Sequence, residues 1–539
     1  MSPKRVLVVG GGREGWMAAA YLSAMLENNG QRPVKISVVE SPDSPTLGYG
    51  EATLPTIQHM MAVIGIDEID FMKRVDGTFR QATRYVNWLR GSGDFFYYPF
   101  DDARAQPIDR AALHWLMSDR SVAFAETVSP QPIICDLGLA PCPVEGQAVD
   151  LSLKYAYHID ELRFADMLCE IATSRGVQHH LDPVTGVEMA DNGDIAAVLT
   201  QNGGRLEADL FVDCTGSQAL LIEKQLGVDW VDCSQWLLCD RLTTMNVDYE
   251  HHYSGRVRPF TTATALSAGW ALEIPLQSRK SLGYVHSSRY IDEEAACKEL
   301  RAFEGRHAQS LDAQTTEFNV GHRAVTWARN CVSLGQSGGF IEPLESPSPL
   351  LNDLGVVALA EHFPFDDDMA PFAFRFNRIM ANRFYEILDF ANMHYCLTKR
   401  ADTEFWREVG KPGRINDRLK AKLDFWMHKV PSKSDFVDQR FPGQPEMPLQ
   451  SGGLPGDHRS PVDTAAVFGL ESHEAILYGM QFLADECDAW YGTMRPPTGV
   501  PSYIIGDLNQ APRILPPHEV WLKQAAGMPD YPVSKGAHR

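Results

Sequence analysis

Three observations predict a doubly wound α/β fold whose nucleotide-binding domain is interleaved with a second domain and followed by a helical C-terminal part. The chain opens with an apolar strand, a glycine turn and a helix, VLVVGGGREGWMAAAYL. From Asp182 to Thr215 apolar and polar residues alternate around two hairpin turns, DNGD and QNGG, and the stretch ends in an apolar strand. From His362 onward apolar residues recur at i, i+3 and i+4, the period of a helix.

The elements follow in order. Val6 to Gly12 is a short strand entering a turn, and KISVVE, Lys35 to Glu40, is the next strand, which completes a βαβ unit. Within the turn Gly10, Gly12 and Gly15 fit G-x-G-x-x-G, so the backbone can lie against a diphosphate whose charge meets the helix N-terminus. Glu40 ends the second strand and is placed to bond a ribose hydroxyl. This pattern predicts a Rossmann-like dinucleotide site. The hairpin region then returns the strand LFVDCTG to the same sheet, so distant pieces rebuild one domain. Thr78 to Phe100 and Ala263 to Val285 are rich in Trp and Tyr, cannot belong to that sheet, and suggest a substrate platform. Phe374 to His394 and Ala401 to Val430 read as helical. The Pro/Gly-rich segment Phe441 to Pro461 breaks that pattern, and the Pro-rich tail after Gly499 is expected to wrap the surface. The expected division is 1–360 for the interleaved nucleotide and substrate parts and 361–539 for the helical covering region and tail.

With 44% apolar and 22% charged residues over 539, the chain can bury a large core. A net charge of -21 argues against a nucleic-acid partner, which needs clustered Lys and Arg to release counterions. No apolar run of about 18 residues appears and the first apolar run lacks signal-peptide features, so a cytoplasmic protein without a membrane span is expected. The ten cysteines are scattered with no C-x-x-C, which predicts free thiols and no metal site.

Further motifs accompany the glycine turn: GYGEATLP from Gly48, ADLFVDCTGSQALL from Ala208, GWALEIPL from Gly269 and CVSLGQSGGFIEPLES from Cys331. In this order, and with GTFRQATRYVNW, YHIDELRFADML and ESHEAILYGM as further landmarks, the chain resembles the flavin-dependent tryptophan halogenases from its start to about Asp488.

The resemblance implies FAD held by the glycine turn, by Ala52 and Thr53 of GYGEATLP, by Asp213 and Gly216 of DCTG and by Gly335. Arg13 and Glu14 stand where the family carries a small pair, yet neither removes a backbone amide. No second glycine motif for NADPH is evident, so reduced FAD would come from a separate flavin reductase, with O2 as co-substrate. In the family the resulting hypohalous acid meets a lysine beside the substrate, and a glutamate steadies the reacting arene. Here those positions are Arg80 and Glu345. A guanidinium stays charged and is a poor nucleophile, so Arg80 cannot form a haloamine, although it can donate hydrogen bonds or pair with Glu345.

The resemblance also implies a halide held by backbone amides next to Ser346, at Pro347 and Ser348. Proline has no N–H, and the loss of one charge-assisted bond costs ~1.5 to 3 kcal/mol, about ten- to hundredfold in halide affinity. Because Pro347 and Pro349 follow them, Ser346 and Ser348 are expected to be extended. In W-x-W-x-I-P the second tryptophan is Leu272. The resemblance places Tyr98, with Phe100, and His473 at positions that contact the aromatic substrate in the family, and His473 on an apolar face needs a partner. The expectation is an FAD-dependent enzyme that oxidises an aromatic, indole-like substrate without efficient halide incorporation. Its alternatives are a genuine halogenase using Arg80 and an FAD-binding protein without turnover. A homodimer is compatible with this reading.

Overall fold

The computed structural model describes residues 4–26, 34–42, 48–100, 111–144, 151, 153–365, 368–436, 467–483 and 499–534. Strand Lys4–Val9 lies at the middle of a six-stranded sheet, paired in parallel with Val34–Glu40 on one side and Leu210–Asp213 on the other. Gln178–Leu181 extends one edge in parallel, and Cys331–Ser333 extends the other. These strands come from five distant parts of the chain, the doubly wound arrangement expected of the glycine motif. Helix Arg13–Leu26 buries Trp16, Met17, Ala20 and Tyr21 beneath the sheet. The two predicted hairpins join Val184–Met189, Ile195–Thr200 and Arg205–Glu207 in an antiparallel sheet, with Gly193 and Gly203 at positive φ in the turns.

The aromatic stretches form a separate seven-stranded sheet. Ala82–Val86 pairs antiparallel with Phe95–Pro99 and in parallel with Thr261–Ala265, which continues through Gly269–Pro275 to Arg279–His286. Strand Thr78–Arg80 instead joins Ala156–Asp160, which also pairs with Gly50–Ala52. That small sheet brings the GEAT motif next to Arg80.

Helix Ala370–Cys396 covers the predicted helical stretch, and from Glu386 to Tyr395 it is buried all round. The expected run from 401 to 430 is two helices, Glu404–Val409 and Asp417–Trp426. Gly410 caps the first, and Pro412, which cannot continue an α-helix, sits in a short 3-10 turn between them. The segment from Phe441 to Pro461 lies outside the described residues. The tail is not simply wrapped over the surface. It forms helix Ser502–Ile514 and buries His518 and Trp521, because Trp521 packs at 4.5 Å between ring centroids on Phe79 and His518 Nε2 accepts the Phe79 N–H at 3.2 Å. Among the described residues no helix is long and apolar enough to cross a membrane.

Candidate active site

The glycine turn separates positions that the fold needs from one that it leaves free. A Cβ on Gly10 would stand 2.2 Å from the Cys214 carbonyl oxygen, one on Gly11 1.8 Å from Glu40 Oε2, and one on Gly15 1.9 Å from the Gly10 oxygen. At Gly12 an added Cβ would meet only Glu14 Oε2, at 3.6 Å. Gly12 is therefore open surface at the start of a helix, the room that a diphosphate needs. Gly216 is similarly open at φ +61. At this turn Arg13 Nη1, and beside it both side-chain amide atoms of Asn352, which adjoins the Asp353 that pairs with Arg13, are buried without a hydrogen bond. A polar, hydrogen-bonding cofactor such as FAD fits such a surface.

Several residues expected against FAD also make contacts within the protein. Asp213 is fully buried: one oxygen accepts from Thr215 N and Oγ1, the other from Leu221 N and Ile222 N at 2.8 and 2.9 Å. Its carboxylate shapes the DCTG loop and has no free face for a ligand. Thr53 turns its hydroxyl to the Tyr157 backbone, while Ala52 is buried in its strand. Arg13 points inward, its Nε 3.1 Å from Glu51 and Nη2 3.4 Å from Asp353. Burial raises Asp353 to about 6, against the pull of Arg13. Glu40 Oε1 meets His179 Nε2 at 2.7 Å, and Gly335 sits at φ +62 beneath Glu14.

At the other end of the site Arg80 is buried and donates four hydrogen bonds. Nη1 reaches the Thr53 carbonyl at 2.6 Å and Ser346 Oγ at 3.1 Å, and Nη2 reaches Thr83 Oγ1 at 2.8 Å and Glu345 Oε2 at 2.7 Å. Tyr85 donates to the other oxygen of Glu345 at 2.6 Å. Burial, then the charge of Glu345, pushes the Tyr85 phenol well above its usual range, so it stays a donor. Arg80 Nε is buried without a partner. The guanidinium lies 4.8 Å from the centre of the Phe100 ring, and Tyr98 meets Phe100 edge-on at 5.9 Å. Sequence reasoning missed Tyr85 and Thr83. Their signal was the alternation of TRY in a strand that starts two residues after Arg80.

Glu345 and Ser346 both have positive φ, 61° and 57°, and helix Pro347–Glu361 starts immediately afterwards. The expectation of extended serines fails: Ser346 is left-handed and Ser348 lies in the first helical turn. The reason is the helix itself, whose first turn leaves N–H groups unpaired and so tolerates proline. Ser348 Oγ is buried without a hydrogen bond.

His473 does not join Tyr98 and Phe100. Its Nδ1 pairs with the Gly469 carbonyl of its own helix at 3.0 Å, and its ring packs among Phe390, Phe436 and Trp426. Burial pushes it down to about 3, so it is a neutral core residue. Tyr98 pairs with Ser472 Oγ at 2.9 Å. Leu272 is buried in the strand Gly269–Pro275, and Trp270 Nε1 donates to Tyr395 Oη at 2.9 Å. Tyr395 in turn donates to Glu342, which burial raises to about 7. Asp248, Glu250 and His251 come close together at the surface, an exposed group of a kind common without a metal.

The tryptophan halogenase family model matches residues 5–496. The chain is 34% identical over 444 residues to tryptophan 7-halogenase RebH of Lentzea aerocolonigenes, covering 78% of this chain and 81% of that one. It is 33% identical over 487 residues to 7-chloro-L-tryptophan 6-halogenase KtzR of Kutzneria sp. (strain 744), covering 85% and 92%. A tryptophan halogenase structure from Shewanella frigidimarina superposes with a TM-score of 0.83 at 28% identity, over 99% of both chains. An α/β fold with a Rossmann-like sheet, an open glycine cradle and a buried polar cluster beside an aromatic platform agrees with these likenesses, and the chain belongs to the tryptophan halogenase family.

Proposed function

We propose that this chain is a flavin-dependent halogenase for an indole-like aromatic substrate, using Arg80 where the family carries lysine. FAD, reduced by a separate flavin reductase, supplies with O2 and halide the hypohalous oxidant. The observation that carries the reading is the buried Arg80–Glu345 pair beside Phe100.

Arg80 has five N–H donors and uses four on the protein, so Nε–H remains to hold the oxygen of hypohalous acid. Such a contact positions the oxidant and polarises it without forming an N–halogen bond. Glu345, fixed by Arg80 and Tyr85, faces the positive charge that develops on the ring. For halide, Ser348 Oγ offers a hydroxyl donor near the missing Pro347 amide. The relatives are named as halogenases, which supports this reading over oxidation without halide.

Pro347 favours a second reading, oxygenation of the same substrate, since one backbone donor for the anion is gone. Incubation with a flavin reductase, NADH, FAD, bromide and a panel of indoles separates the two. Product with bromine's paired isotope pattern supports halogenation. Oxygen-containing product formed equally with and without bromide supports oxygenation and overturns the first reading.

A further inference from the structure

We infer that Glu14 is a built-in competitor for the diphosphate of the flavin cofactor, an anionic gate lying across its cradle. The inference rests on the flavin reading above.

The side chain leaves the first turn of helix Arg13–Leu26 and crosses to the Gly335 turn. A Cβ on Gly335 would stand 2.6 Å from Glu14 Cγ and 3.5 Å from Cδ. Its Oε2 is also the one atom within 4 Å of a Cβ placed on Gly12. The carboxylate thus spans the two glycines that the motif assigns to the cofactor. Among the described residues it accepts no hydrogen bond, and the neighbouring cation, Arg13, points to Glu51 and Asp353.

The surrounding charge has the same sign. Among the described residues Arg13 is the single cation facing Glu14, Glu51, Glu161 and Asp353, which come from four separate elements. Burial raises Glu51, Glu161 and Asp353, as expected where carboxyls outnumber cations. A helix N-terminus favours one negative charge in its first turn, and here Glu14 already supplies it. An entering diphosphate competes for the same positive end and must displace the carboxylate. The consequence is a cofactor held loosely enough to exchange with the reductase that reduces it.

Binding of FAD and of riboflavin, which lacks phosphate, to the full-length protein tests this by equilibrium dialysis. The proteins are wild type, Glu14→Gln and Glu14→Ala, each at low and high salt, with thermal midpoints confirming the fold. The inference expects both variants to bind FAD about tenfold more tightly at low salt, with riboflavin unchanged. It also expects added salt to narrow the gap, since salt screens the repulsion. Unchanged or weaker FAD binding in both variants overturns the gate and leaves the flavin reading intact. An equal gain for riboflavin overturns it as well, since a packing effect would then explain the change. No binding of either flavin by any of the three proteins overturns the flavin reading itself, and the gate with it.

Discussion

Arg80 sits between the Thr53 carbonyl, a serine, a threonine and a glutamate, which leaves one N–H, at Nε, buried without a partner. That Arg80 and Glu345 belong together was legible in the sequence, because the motifs GTFR and EPLES place both. That Tyr85 and Thr83 complete the cluster was not, since it depends on the chain passing from the small sheet of Arg80 into the seven-stranded sheet at Ala82–Val86, and on Glu345, 260 positions from Tyr85. His473 was expected to need a partner, and its helix supplies one: Nδ1 pairs with the Gly469 carbonyl, while Nε2 is buried without a hydrogen bond. At this scale Ser348 carries a prediction. If its unpaired hydroxyl donates to halide, Ser348→Ala removes a charge-assisted bond and raises the bromide concentration for half-maximal product about ten- to hundredfold, with product identity unchanged. A bromide titration of product formation measures it.

The loop before helix Pro347–Glu361 holds two consecutive non-glycine residues in the left-handed region, at about 1 to 2 kcal/mol each. Their side chains are held by Arg80 and Tyr85, which offsets that cost. A local rule about residues before proline could not anticipate this, because the conformation is set by partners 260 or more positions away. The neighbouring network of Glu342, Tyr395 and Trp270 carries a pH prediction. Burial raises Glu342 to about 7, so the folded state keeps a proton that the unfolded chain has lost, and stability falls as pH rises through 7. Buried His394 and His518 are pushed down to about 4, so they act in the opposite direction, but their contribution is complete above about pH 6.5. From pH 6.5 the thermal midpoint should therefore decline and level off above 7, and Glu342→Gln should remove part of that decline, on the order of 1 kcal/mol in total between pH 6.5 and 8. Equal slopes in both proteins count against the assignment.

Across the whole molecule, the doubly wound sheet and its hairpins were legible because glycine turns and alternation are local signals. The C-terminal segment was not, because nothing in its composition says that His518 and Trp521 dock on Phe79, next to Arg80. The glycines give a paired prediction at this scale. Gly12→Val should keep the fold and its thermal midpoint while FAD affinity falls beyond detection, because its Cβ meets ligand space. Gly15→Val should lose thermal stability, because its Cβ strikes the Gly10 carbonyl. Calorimetry and FAD titration of the two proteins separate these outcomes.

The proposed role of the Arg80 guanidinium is to position the halogenating oxidant beside Glu345. Bromination by wild type, Arg80→Met and Arg80→Lys, under saturating reduced FAD and bromide, measures that role. Wild type should give brominated product, Arg80→Met at least about a hundredfold less, and Arg80→Lys should be active, since its amine restores a group able to carry or orient the oxidant. Bromination by Arg80→Met at the wild-type rate, with the fold intact, would contradict that role.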